Sequence, residues 1–364
     1  MKILAIETSC DETAVALLSA DGTLNNPHIK VLGNTLLSQA KLHEKYGGVF
    51  PNLAKREHQK NLPPLLEQTL LETGESLEKP NIDVIAVTSG PGLEPALWVG
   101  INFALELGKK WGKPVMPVNH MEGHIYSVLY ENGTNPKTKN KYSELILPGL
   151  ALLVSGGHTE LVHIKDFGEH HIIGKTRDDA VGEAFDKAAR MLELPYPGGP
   201  EISRLAENSR KRSAEDYIKF PRPMIHSKDF DFSFSGLKTA MLYRLKSENK
   251  SGDMFKEDMA RAFEDAAVEV LVVKTRRALF ELGEDIKTLI VAGGVSANRH
   301  LSKELNKIIE QFPDITLKMP TGLLTTDNAI MIGIAAFMKI SKTPEILREK
   351  ISIKAEGNLS LQPY

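Results

Sequence analysis

The feature that most limits what this chain can fold into is a pattern of short apolar runs and small-residue loops that occurs twice. Lys2-Ile3-Leu4-Ala5-Ile6 has the length of a buried strand. It passes through Glu7-Thr8-Ser9-Cys10-Asp11-Glu12 into the alternating run Ala14-Val15-Ala16-Leu17-Leu18, with turn chemistry at Asp21-Gly22, which predicts a hairpin. Val84-Ile85-Ala86-Val87 then leads through Ser89-Gly90-Pro91-Gly92 into apolar-periodic residues 97–107, a strand, tight loop and helix. The pair recurs. Leu150-Ala151-Leu152-Leu153-Val154, Ser155-Gly156-Gly157-His158-Thr159 and Leu161-Val162-His163-Ile164 spell a second hairpin. Thr288–Ala292, Gly293-Gly294-Val295-Ser296-Ala297-Asn298 and Arg299–Ile309 spell a second strand, loop and helix. Two lobes of related α/β topology leave a cleft where four loops meet. Gly-rich loops let main-chain N–H groups approach phosphates, so a nucleotide is the expected occupant.

The second half carries an extra segment that reads helical: Phe255, Met259, Phe263, Ala266, Val270 and Val273 recur at spacings of three and four, one apolar stripe. The 364 residues suffice for two substantial lobes, and 45 Lys+Arg against 47 Asp+Glu give a net charge of -2, so no global basic field points to nucleic acid. With one cysteine, Cys10, neither an intrachain disulfide nor a multi-thiolate zinc site can form. No histidine lies near Cys10 in sequence, and it reads as a packing residue. The run Ile3-Leu4-Ala5-Ile6 is too short for a secretory segment, and no apolar stretch approaches the ~20 residues of a membrane span, so a soluble cytoplasmic protein is expected. Polar residues 131–144 read as a solvated loop, and residues 204–222, with Arg210-Lys211-Arg212 and Arg222 alternating with acids, as a solvated helical face.

His120-Met121-Glu122-Gly123-His124 follows a strand-like Pro114-Val115-Met116-Pro117-Val118, with Asn119 placed as helix N-cap. At ~100° per residue the two histidines lie about 40° apart on one face, the arrangement for ligating a divalent metal, while Glu122 points about 200° away from His120. A zinc-protease helix needs the glutamate one position earlier, so the spacing favours a metal site and counts against metalloprotease chemistry. Asp327, in Thr326-Asp327-Asn328 ahead of the apolar Ala329-Ile330-Met331-Ile332, is a candidate third ligand or, alternatively, a helix N-cap. Neither Gly pair is a Walker loop or a Gly-x-Gly-x-x-Gly motif.

Taken together, the segments 6–13, Gly47-Gly48-Val49-Phe50-Pro51, Gly90-Pro91-Gly92-Leu93, His120-Met121-Glu122-Gly123-His124, 154–159, 182–187, Tyr196-Pro197-Gly198-Gly199-Pro200, 232–238, 292–298 and Thr326-Asp327-Asn328 resemble, in order and over nearly the whole chain, the motif series of the TsaD family. These are the tRNA N6-adenosine threonylcarbamoyltransferases formerly called glycoproteases. The resemblance implies an actin-like, sugar-kinase-type ATPase fold with two related lobes and a nucleotide cleft between them. The expected division is 1–118 for the first lobe, completed by a helix within 328–364, and 119–327 for the second, with a helical insertion around 180–280.

The resemblance also implies a reaction, in which the threonylcarbamoyl group of threonylcarbamoyl-AMP passes to N6 of adenosine 37 in tRNAs reading A-starting codons. It implies that His120, His124 and Asp327 hold one iron or zinc ion. Leu153, Val154, Ser155, Gly156 and Gly157 would wrap the acyl-adenylate, and Asp186, Gly199 and Asn298 would contact its nucleoside. Asp11 and Glu12 would face the reacting centre, Asp11 as candidate base. A TsaB-like paralogue and a TsaE-like ATPase are the implied partners. Ser203 stands where the family usually carries Asp or Glu to grip ribose hydroxyls, Asn52 where an acid is common, and Glu94-Pro95 in a usually Gly-containing stretch. The competing classes are a metal-dependent protease and a small-molecule kinase of the same fold.

Overall fold

The computed structural model describes residues 1–131, 141–142, 144–212, 218–247, 252–349 and 352–361. Its first sheet comprises β1 (Lys2–Glu7), β2 (Glu12–Gly22), β3 (Pro27–Ser38), β4 (Val84–Gly90) and β5 (Val115–Asn119), in the order β3-β2-β1-β4-β5. β1 runs antiparallel to β2 and parallel to β4, with Ile3 opposite Val84 and Ile6 opposite Val87. The short α1 (Ala40–His43), then α2 (Pro51–Thr73) and α3 (Glu94–Trp111), belong to this half, and α4 (His120–Tyr126) follows β5 directly.

After a two-rung ladder of β6 (Tyr130–Glu131) and β7 (Lys141–Tyr142), the pattern repeats. The second sheet contains β8 (Gly149–Val154), β9 (Thr159–Asp166), β10 (Glu169–Lys175), β11 (Thr288–Ala292) and β12 (Thr316–Lys318), ordered β10-β9-β8-β11-β12. β8 is antiparallel to β9 and parallel to β11, with Leu153 opposite Ala292, so the two sheets share one strand order and one set of directions. Helices α5 (Val181–Met191), α6 (Gly198–Lys211), α7 (Ser235–Ser247), α8 (Asp253–Leu282) and α9 (Arg299–Ile309) belong to the second half, and α10 (Ala329–Lys342) closes the series.

Period-two alternation makes each central strand face two cores. Ile3 and Ala5 of β1, and Ala151 and Leu153 of β8, are buried in one cluster with Met121 and Ile125 of α4 and Met331, Ile332 and Ala335 of α10. The opposite faces separate: Leu4 and Ile6 pack with Leu66 and Leu97 of α2 and α3, whereas Leu150, Leu152 and Val154 pack with Phe185, Ile202, Phe263 and Leu301. α4 and α10 therefore lie between the sheets. They come together at Gly123, where a Cβ would sit 3.1 Å from Met331 and Ile332 side-chain atoms.

The stripe read from Phe255 onward is α8, with Met259, Phe263, Ala266 and Val270 fully buried. The basic stretch 204–222 is a solvated face only in part: Arg204 and Lys211 are exposed and pair along α6 with Glu201 and Glu207, whereas three other arginines turn inward. Arg210 pairs with Glu264 and Asp265, Arg212 with Glu257 and Asp258, and Arg222 with Glu269, so these three arginines bind α6 and the segment after it to α8, whose acids supply the partners. Most of the polar stretch 131–144, and Glu215 and Asp216, lie outside the described residues. No helix among the described residues is long and apolar enough to cross a membrane.

Candidate functional site

Asn119 ends β5 and caps α4 by accepting the N–H groups of Met121 (2.8 Å) and Glu122 (3.4 Å). The cap fixes where the first helical turn starts, and hence the face on which His120 and His124 emerge. Both are buried, with ring centroids 4.7 Å apart. Asp327 approaches from the loop before α10. Its neighbour Asn328, not Asp327, is the N-cap of that helix and accepts the Met331 N–H at 2.9 Å, which leaves the aspartate free to face the histidines. Asp327 Oδ1 lies 3.3 Å from His120 Nε2 and 3.2 Å from His124 Nε2.

These distances fit a metal. One ligand atom from each residue lies within 4.8 Å of the others, and ligands ~2.0–2.1 Å from a tetrahedral ion are ~3.3 Å from each other. Among the described residues neither ring nitrogen of His124 has a hydrogen-bond partner of good geometry, although Asp327 Oδ1 lies beside its Nε2. The His120 ring is set from behind: its Nδ1 is 3.1 Å from Glu7 Oε2 and 3.2 Å from Ser9 Oγ. Glu7 is itself fixed by the Ser9 N–H (2.5 Å) and the Thr88 hydroxyl (2.6 Å). A carboxylate on Nδ1 holds the tautomer whose Nε2 lone pair points toward Asp327, the usual outer partner of a metal-binding histidine. Burial works against charge here, yet Asp327 and Glu7 hold the His120 imidazole well above the ordinary histidine range, so the two carboxylates favour positive charge placed between them. Burial likewise opposes the Asp327 carboxylate, and the two histidines outweigh it and hold that carboxyl far below its usual range.

Glu122 leaves the opposite side of α4. It is buried, its Oε1 lies 3.9 Å from His170 Nδ1 on β10, and burial pushes its carboxyl up to about 7. The helical phase read from the sequence is thus realised: the glutamate is turned away from the ligand face.

Four segments, three loops and one pair of helices, lie around the metal-type triad. The first carries Asp11 and Glu12. Asp11 is tied through its carbonyl to the Gln39 N–H (2.9 Å), and the Glu12 carboxyl is pushed up by burial and then by Asp11 and Asp327. The Cys10 thiol, raised well above its usual range by burial and Asp11, is no nucleophile. In the second loop the Leu153 and Val154 side chains are fully buried, so what they offer a ligand is main chain. Ser155 closes a tight turn with His158 (N–H to carbonyl, 2.8 Å), and burial, then His120 and His124, lower the His158 imidazole to about 4. Gly293, at φ 95°, brings the fourth loop so close that a Cβ would lie 2.4 Å from the Val154 carbonyl oxygen. At Gly156, Gly157, Gly199 and Gly294, by contrast, a Cβ would meet nothing within 4 Å.

The third wall comes from α5 and α6. Asp186 Oδ1 accepts the Gly198 N–H (2.8 Å) at the start of α6, and burial raises its carboxyl. Tyr196 faces both halves: burial, then Asp11 and Asp186, push its phenol up. Asn298 accepts the Leu301 N–H (2.9 Å) as N-cap of α9, and its amide donates to Ser203 Oγ (2.9 Å) and Glu264 Oε1 (2.7 Å). Sequence reasoning missed Glu264, Tyr196 and Glu7 as members of the site. A signal existed for Glu7 and Glu264, since a carboxylate next to fully buried apolar residues is rarely left without a role.

The family model of TsaD, tRNA N6-adenosine threonylcarbamoyltransferase, matches residues 30–334. The chain belongs to the TsaD family. A tRNA N6-adenosine threonylcarbamoyltransferase of Thermosipho africanus is 45% identical over 342 residues, covering 94% of this chain and 95% of the relative. One from a Polaromonas species is 42% identical over 363 residues, covering 100% and 98%. Among solved structures, HypF from T. kodakarensis superposes with a TM-score of 0.57 at 13% identity, over 96% of this chain and 49% of that one. Full-length HypF in a phosphate- and nucleotide-bound form gives 0.58 at 14%, over 96% and 47%. This chain spans about half the length of either HypF structure, and the likeness shows the fold: two actin-like lobes, as in the duplicated sheets above. The TsaD-family chain is an acyltransferase that acts on tRNA.

Proposed function

We propose that this site passes the threonylcarbamoyl group of threonylcarbamoyl-AMP to N6 of adenosine 37 in tRNAs reading A-starting codons, with release of AMP. The observation that carries the reading is the His-His-Asp triad from α4 and the loop before α10, in a chain that also presents four glycines at which a Cβ would meet nothing within 4 Å. The new bond joins adenine N6 to the carbamoyl carbon, and the bond from that carbon to the phosphate oxygen breaks. The N6 proton goes to a base, for which Asp11 is the candidate, with Glu12 beside it.

His120, His124 and Asp327 would hold one divalent ion, iron or zinc, which when bound supplies Lewis-acid and templating chemistry for the threonylcarbamoyl part. Residues 153–157 would wrap the acyl-adenylate, with the Gly156 and Gly157 N–H groups taking charge that develops on the phosphate. Asp186, Gly199, Ser203 and Asn298 would bound the nucleoside. The adenylate is already activated, so most of the protein's work is orientation, for which ~7–11 kcal/mol is available from ideal positioning. We assign 1–118, completed by residues within 328–364, to one lobe and 119–327 to the other. Packing of α10 against β1 and β2 supports this. A TsaB-like paralogue and a TsaE-like ATPase are proposed as partners and the cytoplasm as the compartment. The test is mass analysis of tRNA after incubation of the chain with threonylcarbamoyl-AMP and the TsaB-like and TsaE-like proteins, and unmodified adenosine 37 in that full mixture would sink the reading. A water-activating role for Glu122, which a protease would need, is opposed by its position behind α4.

A further inference from the structure

Ser203 takes the place of an acid, yet an acid is there. It comes from α8: Glu264 Oε1 accepts the Ser203 hydroxyl at 2.7 Å and the Asn298 amide at 2.7 Å, and its Oε2 accepts Arg210 Nη1 at 2.6 Å. Glu264 is 1% exposed, so it cannot itself reach a ligand in the cleft. Ser203 is half-buried and lies one turn after Gly199 on the same face of α6, the face that looks onto open space at Gly199.

The hydrogen bonds fix what Ser203 offers. A hydroxyl has one donor hydrogen and two acceptor lone pairs. The hydrogen is given to Glu264, one lone pair takes the Asn298 amide, and one lone pair remains. Ser203 can therefore accept a hydrogen bond but has no hydrogen left to donate, which is the behaviour of a carboxylate oxygen. Donation to a carboxylate also polarises the hydroxyl oxygen and strengthens what it accepts.

We propose that Ser203 and Glu264 act together as a relayed carboxylate that recognises a ribose hydroxyl of the adenylate, with Glu264 as the positioning residue, so that the acid expected at position 203 is supplied one bond further back. The inference rests on the nucleoside subsite proposed above. It has a corollary for Ser203→Asp: with Glu264 in place, the new carboxylate faces another carboxylate and gains nothing, whereas Ser203→Asp combined with Glu264→Gln meets an amide that can donate to it.

The experiment measures binding of AMP, 2′-deoxy-AMP and 3′-deoxy-AMP by calorimetry to the wild-type chain and to Ser203→Ala, Glu264→Gln, Ser203→Asp and the Ser203→Asp/Glu264→Gln pair. The wild type should prefer AMP over one of the deoxy forms by about tenfold, the size of one charge-assisted hydrogen bond. Ser203→Ala and Glu264→Gln should each lose most of that preference, Ser203→Asp should not restore it, and the double variant should. A structural role alone would lower stability without touching the ratio of ribose to deoxyribose binding. No ribose preference in the wild type, an unchanged ratio in Glu264→Gln, or a double variant no better than Glu264→Gln overturns the relay. Should Glu264→Gln fail to fold, Ser203→Ala decides alone, because it leaves the Glu264–Arg210 pair intact and must still lose the ratio. Failure of the broader reading shows separately, as tRNA left unmodified by the wild type when the TsaB-like and TsaE-like proteins are present.

Discussion

Glu7 Oε2 and His120 Nδ1 are 3.1 Å apart although 113 residues separate them in the chain. The pair joins the end of the first strand to the first turn of the helix between the sheets, and it sets which nitrogen of His120 points at Asp327. Glu7→Gln keeps the shape but removes the acceptor charge and introduces a donor. Metal affinity should fall by about 10–100-fold, the usual cost of losing such an outer partner. Competition with a chelator measures it, and wild-type affinity in the variant would show that Glu7 does not set the ring.

Changing His120, His124 or Asp327 to Ala should remove metal and transferase activity together, since a three-ligand site rarely keeps its ion on two. Glu122→Gln should retain full metal and lose activity modestly at most. Elemental analysis beside quantification of modified tRNA decides the matter. Full metal with activity reduced by the ~10²–10⁴ of general-base assistance would restore a direct role for Glu122.

Asp178 anchors the start of α7. Its Oδ1 accepts the Phe234 N–H (2.8 Å) and its Oδ2 the Ser233 (2.5 Å) and Ser235 (2.6 Å) hydroxyls. Partial burial opposes the charge, but these hydroxyl and N–H donors outweigh it and hold the carboxyl below its ordinary value. A depressed carboxyl contributes stability above its unfolded pKa, near 3.9, and loses it as pH falls through the folded value. Asp178→Ala should cost about 1–2 kcal/mol at pH 7, as for other lost caps. The gap between the two unfolding curves should close in strong acid; a gap independent of pH would assign the loss to packing.

Turnover should require accessory proteins. With a net charge of -2, this chain has no general attraction for tRNA phosphates. Purified chain, tRNA and threonylcarbamoyl-AMP should give little repeated turnover until a TsaB-like and a TsaE-like protein are added. Rapid multiple turnover of the chain alone would refute this dependence.

What was legible in the sequence is what depends on neighbours along the chain. Asn119 as a cap, the His120–His124 face, the start of α9 at Arg299 and the duplicated strand pairs all follow from local spacing and are present. α2 escaped notice because Pro63 and Pro64 interrupt a helix that tertiary packing nevertheless holds. β3 also went unpredicted: it begins at Pro27 and contains Gly33, residue types depleted in strands. Contacts between distant segments left no local trace. Nothing near Arg210 announces that its partners are on α8, and nothing near Ser203 announces Glu264. Asp327 was open to two readings until Asn328 proved to be the cap.

The four unobstructed glycines carry a consequence for how this cleft tolerates change. At Gly156, Gly157, Gly199 and Gly294 the backbone is outside the left-handed region and, among the described residues, a methyl group would meet nothing within 4 Å beyond its own chain neighbours. Alanine at these places should fold as well as glycine does, and any harm it causes must come from bulk pressed against a visitor. The fold can thus be altered at four points along its guest's outline while the host stays intact, which gives a direct way to trace the shape of whatever lies there.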